Sequence, residues 1–234
     1  MGWITDRFVW LAWSGAFVIA WGCMYWACPR LRQALWRVSL CTAPFGLTEM
    51  LFVGRYWAPP VLVRFGGRAP LDVESFLFCF GIGGVAAVLY NVVTRTPLRL
   101  PPKSPVQGAR QQWYVLAFLF PFLIYLPITL VSGRPLWAGV FATLLGAGVR
   151  MALFPSLRTK TAAGGVLFMA YYAAFLALLD WGAPGYFHRV WLGTIAGGRI
   201  LGVPWAELLF ALGVGMYWSG SYEQVMWIFS QPNA

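Results

Sequence analysis

Seven runs of mostly apolar residues, each about as long as a membrane-spanning helix, fill this chain of 234 residues. A helix needs about 20 apolar residues to cross roughly 30 Å of hydrocarbon. Charged residues make up only 10% of the chain, against about 25% in an ordinary soluble domain. The runs lack the two-residue alternation of outer-membrane barrel strands, and open strands would leave backbone groups unpaired in lipid. The sequence therefore predicts an all-α integral membrane protein.

About seven transmembrane helices are predicted, and the third and seventh repeat each other at an offset of 132 positions. The spans lie near residues 8–28, 38–54, 73–93, 113–132, 136–154, 162–180 and 202–220. The repeated residues are, in pairs, Phe78 and Phe210, Gly81 and Gly213, Gly83 and Gly215, and Tyr90 and Tyr222. A Pro-x-Leu-Arg segment also follows both the first span, at 29–32, and the fifth, at 155–158.

Spans 1–3 therefore match spans 5–7, and the fourth span restores the orientation of the second set. The prediction is two parallel three-helix repeats joined by one extra helix. The first repeat occupies residues 1–93 and the second occupies residues 136–234. Residues 94–135 form a basic, Pro-rich linker and the connecting helix.

Orientation is predicted from Lys and Arg in short loops. With the N-terminus outside and the C-terminus inside, nine basic loop residues face the cytoplasm and seven face the other side. The protein is accordingly expected in the cytoplasmic (inner) membrane, with its first span retained because no convincing small-residue cleavage site follows it. Basic loops beside anionic lipid headgroups explain the net charge of +10, so the bilayer is an expected partner and nucleic acid is not.

No metal site is predicted, because no two cysteines form a CxxC pair and His188 is the only histidine. The cysteines, all in or beside apolar spans, are Cys23, Cys28, Cys41 and Cys79. The glycine-rich residues 81–84 lie inside an apolar helix without a preceding strand, which disfavours nucleotide binding. The chain also lacks the paired Asp-rich motifs that hold magnesium pyrophosphate in prenyltransferases.

Small residues recur at every fourth position on spans 3 and 7, and such rows let helix backbones approach closely in lipid. The two rows are Cys79, Gly83 and Ala87, and Ala211, Gly215 and Ser219. Ser75 and Glu207 continue the rows one step earlier, so Glu207 is predicted to point into the bundle. Glu74, the neighbour of Ser75, is turned roughly 100° away from the row.

Five of the seven acidic residues map to the non-cytoplasmic ends of the spans. They are Glu49, Asp72, Glu74, Asp180 and Glu207. An ionised carboxylate within a span costs a few kcal/mol, so such residues usually face a cavity or a partner. One interpretation is structural ion pairing. It pairs Glu49 with Arg55, Asp72 with Arg68, and both Asp180 and Glu207 with Arg189 or Arg199.

The other interpretation is catalytic. A carboxylic acid shielded from water protonates an apolar substrate, and aromatic rings around it stabilise the resulting cation. The aromatic residues predicted to bind this substrate are Tyr56, Trp57, Phe76, Trp181 and Trp205.

Two stretches that each open a span carry a family resemblance. Residues 70–78 read Pro-Leu-Asp-Val-Glu-Ser-Phe-Leu-Phe, and residues 202–210 read Gly-Val-Pro-Trp-Ala-Glu-Leu-Leu-Phe. Both resemble the Pro-x-Glu-Glu-x-x-Phe signature of the lycopene cyclase domain family. That family consists of small cofactor-free membrane proteins of three-helix units, found as heterodimers, as fused tandems, or joined to phytoene synthase in fungi.

The resemblance implies a fused tandem and an acid-initiated ring closure at the ψ end of a linear carotenoid, without a cofactor. It implies that Glu74 and Glu207 act as acid and base, with Glu49 as a third catalytic candidate. The chain departs from the signature because its first copy has Glu74 followed by Ser75, and its second has Ala206 before Glu207. The first proline also lies two residues early, and residues 46–60 have no counterpart in the second half.

Three functional hypotheses follow. The first is a membrane isomerase or cyclase that acts on a carotenoid or another long polyprenoid. The second is a non-catalytic integral subunit that binds pigment or lipid, or scaffolds a larger membrane complex with other integral subunits. The third is a transporter, since parallel repeats with intramembrane acids also suit alternating access.

Overall fold

A computed structural model describes residues 5–65, 71–102, 109–192, 198–200 and 203–230, most of which are helical. The α-helices are α1 (Asp6–Ala27), α2 (Arg32–Thr42), α3 (Glu49–Phe52), α4 (Val73–Thr94), α5 (Ala109–Ser132), α6 (Pro135–Leu153), α7 (Arg158–Gly182), α8 (Tyr186–Val190), α9 (Trp205–Ser219) and α10 (Ser221–Ser230). The described residues also form 3-10 helices at Pro29–Leu31, Ala43–Thr48 and Pro155–Leu157. Two antiparallel hairpins pair β1 (Arg64–Phe65) with β2 (Leu71–Asp72) and β3 (Arg199–Ile200) with β4 (Val203–Pro204).

Five of the described helices are long and apolar enough to cross a membrane. They are α1, α4, α5, α6, and α7 with the 3-10 turn before it. Two predicted spans are not single long helices. Span 38–54 is interrupted by the 3-10 helix Ala43–Thr48, which contains Pro44, and a proline lacks the N–H that an α-helix needs. In span 202–220, α9 has only 15 residues and ends before Gly220.

The centre of the bundle is formed by α4 and α9, which contact each other. Helix α4 packs against α1 and α2, and α9 packs against α6 and α7. Helix α5 packs against α6 and α10. The most buried of the five apolar helices is α4, which agrees with its central place.

Two glycines allow the central helices to approach their neighbours closely. A Cβ atom on Gly83 of α4 would lie 2.1 Å from Oγ1 of Thr42, and one on Gly215 of α9 would lie 2.5 Å from Cβ of Phe168. Both distances are far below van der Waals contact, so no larger side chain fits without movement. The prediction that the small-residue rows are packing faces is confirmed at these two positions.

Helices α1 and α6 end in the same local structure. The N–H of Cys28 donates to the carbonyl of Met24, and the N–H of Phe154 donates to that of Arg150. A 3-10 turn that begins with proline follows in each case. The next helix then begins with an arginine whose Nε donates a hydrogen bond to a carbonyl of the helix before it. Arg32 donates to the carbonyl of Tyr25 at 2.8 Å, and Arg158 donates to that of Met151 at 2.7 Å.

Helices α4 and α9 begin at the same end of the bundle, here called the hairpin end because each follows a β-hairpin. Ser75 and Glu207, in their first turns, line one cavity. Near the other end of α4, Asn91 is joined through Lys160 to Glu223, which follows α9. The two central helices therefore run in the same direction.

Candidate functional site

A large apolar cavity lies between α4 and α9 and reaches from the hairpin end into the middle of the bundle. It contains about 1160 Å³ of space, including its open mouth, and its walls are mainly aromatic and aliphatic. Of the residues predicted to form a site, the cavity brings together Glu49, Tyr56, Trp57 and Glu207. Ser75 also lines it, so the two ends of the small-residue rows meet here.

Glu207 lies in the cavity wall with only 3% of its surface exposed, which confirms that it points into the bundle. Its Oε1 accepts hydrogen bonds from the hydroxyl of Tyr56 and from Nε1 of Trp191, the latter at 2.7 Å. Its Oε2 accepts a hydrogen bond from the hydroxyl of Tyr172 at 3.2 Å. Burial raises the pKa of Tyr56, which lies outside the helical spans, so this hydroxyl keeps its proton as a donor. Glu207 is thus an acceptor held by three neutral donors.

Tyr56 and Trp191 come from two loops that pair with each other at the hairpin end. The N–H of Ala58 donates to the carbonyl of Val190 at 2.8 Å, and the N–H of Leu192 donates to that of Tyr56 at 2.7 Å. Between these bonds the rings of Trp57 and Trp191 lie 5.3 Å apart. This pairing fixes Tyr56 and Trp191, two of the three donors that hold Glu207.

Glu49 is the first residue of α3 and is 7% exposed. Its Oε1 has no hydrogen-bond partner among the described residues, and its carboxyl faces Trp57, Ser75 and Asp72. Asp72 caps α4 by accepting a hydrogen bond from the backbone N–H of Ser75 at 2.7 Å, and it accepts another from Nε1 of Trp10 at 3.3 Å. Burial raises the pKa of Asp72. Of the two carboxyl groups that line the cavity, Glu49 therefore has fewer hydrogen bonds than Glu207.

Glu74 lies outside the cavity wall although it is completely buried. Its Oε1 accepts hydrogen bonds from the backbone N–H groups of Leu62, at 2.7 Å, and Val63, at 3.3 Å. It therefore fastens the segment that leads into β1. The pair that shares the cavity is Glu49 and Glu207, in place of the Glu74 and Glu207 pair that the family signature implies.

Three predicted aromatic residues also lie outside the cavity wall. Phe76 packs against Phe65, with ring centres 5.5 Å apart. Trp205 packs against Trp137 at 5.0 Å. Trp181, near the end of α7, is 71% exposed. They belong to the surface and the hairpin region.

The predicted ion pairs of the acids are wrong for the described residues. Ion pairs there are limited to Lys160 with Glu223 and Arg189 with Asp6. Arg189 reaches the start of α1, where its Nε and one terminal nitrogen each donate to a carboxylate oxygen of Asp6 at 2.7 Å. It therefore does not pair with Asp180 or Glu207. The proposed partner of Asp72, Arg68, lies outside the described residues.

Sequence reasoning missed a buried polar cluster at the opposite end of the bundle. Lys160, which lies just before the predicted span 162–180, is only 7% exposed. Its Nζ donates to Oδ1 of Asn91 at 2.6 Å and to Glu223. Beside it Arg150 is 1% exposed, and its Nε donates to Gln224 at 2.8 Å. An arginine inside the apolar span 136–154 was the available signal for this cluster.

Sequence reasoning also missed Tyr172 and Trp191, since nothing in their sequence context distinguishes them from the many other aromatic residues of the chain. Within the described part of the chain, no group of three or more His, Cys, Asp or Glu side chains could hold a metal ion. No protein-family model, curated protein or solved structure matches this chain.

Proposed function

We propose that this protein is a membrane isomerase that cyclises a long apolar isoprenoid of the carotenoid type, without a cofactor, in the cavity between α4 and α9. One observation carries the proposal: Glu49 and Glu207 line the same aromatic cavity, and neither has a cationic partner among the described residues. Buried carboxyl groups are normally paired with a cation or kept neutral. An apolar cavity that contains two of them suits acid–base chemistry on a hydrocarbon.

In the proposed reaction, Glu49 is the acid. It transfers its proton to a terminal carbon–carbon double bond of the substrate and leaves a tertiary carbocation. A second double bond of the same chain attacks that carbon, closes the ring and moves the positive charge into it. The Glu207 carboxylate removes a proton from the ring carbon beside the cation, which restores a double bond. Transfer of that proton to Glu49 resets the site, and the product is an isomer of the substrate.

Aromatic rings support this chemistry because they attract a cation through their faces. Trp57 and Trp191 are held in place by the loop pairing, and Trp10 and Phe78 continue the wall, with their ring centres 5.2 Å apart. The ring centres of Trp10 and Trp57 lie 4.5 Å apart. The polyene is proposed to lie along this wall, with its reacting end near the two carboxyls.

The proposal includes the architecture. We assign α1, α2 with α3, and α4 to one three-helix repeat, and α6, α7 and α9 to the other, with α5 as the connecting helix. The matched ends of α1 and α6, the hairpins before α4 and α9, and the common direction of α4 and α9 support this assignment. The hairpin end is assigned to the outside of an inner membrane, and the Lys160 end to the cytoplasm.

Pigment analysis in a lycopene-accumulating bacterium tests the catalytic role. The wild-type protein is expected to form a cyclic product, and Glu49→Gln and Glu207→Gln to lower its yield by about 100-fold or more, since general acid–base catalysis contributes about 10²–10⁴-fold. Glu74→Gln is the matched control, because it alters a buried glutamate outside the cavity wall. Loss of product in the control with retention in Glu49→Gln would reverse the assignment.

The alternative is a non-catalytic integral subunit. The observation that favours it is that three protein donors already hold the Glu207 carboxylate, as in a structural site. If the wild-type protein forms no cyclic product and purifies in fixed ratio with other membrane subunits, this alternative replaces the isomerase.

A further inference from the structure

We propose a second binding site, for the phosphate group of a membrane amphiphile, in a pocket at the hairpin end that contains Arg55 and Arg134. This arginine pocket has about 900 Å³ of space, including its open mouth. Its lining residues are Arg55, Tyr56, Gly133, Arg134, Pro135, Leu136, Trp137, Leu192, Trp205 and Ala206. The site does not depend on the chemistry proposed for Glu49 and Glu207.

The two arginines are exposed and supply positive charge to the pocket. No hydrogen bond or ion pair of either guanidinium occurs among the described residues, although all seven acidic side chains of the chain lie in that part. Two cations that line one pocket attract an anion, because it lowers their mutual repulsion. A phosphate satisfies both, since each planar guanidinium can donate two parallel hydrogen bonds to it.

The start of α6 adds backbone donors to the same pocket. The first residue of α6 is Pro135, and the N–H groups of Leu136 and Trp137 in its first turn have no acceptor within the helix. Both residues line the pocket. The positive end of the α6 dipole therefore favours an anion in the pocket that the two arginines line.

The remaining walls suit an amphiphile better than a free ion. Trp137 and Trp205 are half-buried, and paired indole rings of this kind typically lie at a membrane interface. Tyr56 and Leu136 line both this pocket and the cavity between α4 and α9, so the two spaces are neighbours. A hydrocarbon chain attached to the bound phosphate can lie on the tryptophans or extend toward the cavity. The ligand is either a phospholipid headgroup or a phosphorylated isoprenoid.

Binding of geranylgeranyl diphosphate to the purified protein in phosphatidylcholine nanodiscs tests the site. The double variant Arg55→Gln/Arg134→Gln is expected to weaken binding at least tenfold. The control Arg64→Gln removes an exposed charge at the same end, outside the pocket, and is expected to change affinity less than twofold. Equal losses in the two proteins would show general charge attraction and overturn the proposal.

Two further comparisons complete the test. Arg55→Lys/Arg134→Lys keeps the charge but loses paired hydrogen bonding, so an intermediate affinity is expected. If the glutamine variant does not fold, the lysine variant replaces it in the comparison with the wild type. Geranylgeraniol, which lacks the phosphates, is expected to bind far more weakly than the diphosphate, and equal binding of the two would overturn the proposal.

A second set of ligands determines whether the bound phosphate belongs to an isoprenoid or to a lipid headgroup. Tighter binding of geranylgeranyl than of geranyl diphosphate, without displacement by phosphatidylglycerol, identifies an isoprenoid ligand. Displacement by phosphatidylglycerol, with equal affinity for the two diphosphates, identifies a lipid headgroup. Both results support the site.

Discussion

The two ends of the bundle bury their carboxyl groups in contrasting surroundings. At the hairpin end, Glu49 and Glu207 line an apolar cavity and have no cationic partner in the part of the chain that the structure describes. At the opposite end, Glu223 is 1% exposed and forms an ion pair with Lys160, which also donates to Asn91. The first arrangement leaves room for a ligand, while in the second the protein itself compensates the charge.

The presence or absence of a cationic partner distinguishes a structural carboxyl from a functional one better than its burial does. A buried ion pair contributes little net stability relative to an apolar replacement, yet removal of one partner is strongly destabilising. A buried carboxyl without a cation gives no such response when it is neutralised. Substitutions of single charged groups therefore measure whether each end of the bundle is structural.

The largest effect is expected for Lys160→Met. It leaves Glu223 buried without its cation, and we expect a loss of about 3–5 kcal/mol in the free energy of unfolding, measured by titration with sodium dodecyl sulfate. The double variant Lys160→Met/Glu223→Gln removes both charges and should recover most of that loss. A single variant as stable as the wild type would show that the Lys160 end is not held by this pair.

A smaller loss is expected for Glu74→Ala, which tests whether the third buried glutamate belongs to either class. The backbone N–H groups of Leu62 and Val63 would lose their acceptor, at a cost of about 1–3 kcal/mol in unfolding free energy. Glu74→Gln keeps one acceptor oxygen and should lose less. If both variants abolish product without loss of stability, Glu74 belongs with the cavity carboxyls.

Part of the structure could be predicted from the sequence. The fold class follows from the long apolar runs, and the packing at Gly83 and Gly215 follows from their four-residue spacing, because both are local patterns. The burial of Glu207 follows from the same row. These are properties of single helices, which a sequence displays directly.

The composition of the site depends instead on contacts between distant segments. Tyr56 and Trp191 are 135 residues apart and meet through a loop pairing that no sequence pattern marks. Glu49 lies in the predicted span 38–54, whereas in the structure a 3-10 helix interrupts this span directly before Glu49. Lys160 looked like a loop residue because its partners Asn91 and Glu223 lie on other helices.

A near-zero effect on stability is expected for Glu49→Gln. The amide has the same shape, and within the described ranges the carboxyl it replaces has no cationic partner and one unpaired oxygen. We expect the unfolding free energy to change by less than about 1 kcal/mol, below the usual cost of removing one member of a buried pair. A loss as large as that in Lys160→Met would mean that the two ends do not differ as described.

The smallest effect is expected in the pH dependence at Asp72, which lies beside Glu49 at the hairpin end. Burial raises its pKa above the ordinary value of 3.8, so the folded protein binds this proton more tightly than the unfolded chain does. The resulting stability is fully present below pH 3.8 and is lost as the pH rises through the folded pKa. Asp72→Asn keeps an acceptor for the N–H of Ser75 but cannot titrate. Thermal unfolding in detergent should therefore show the wild type losing stability relative to Asp72→Asn as the pH rises from 3.8 toward neutrality, and a constant difference would exclude Asp72 as the titrating group.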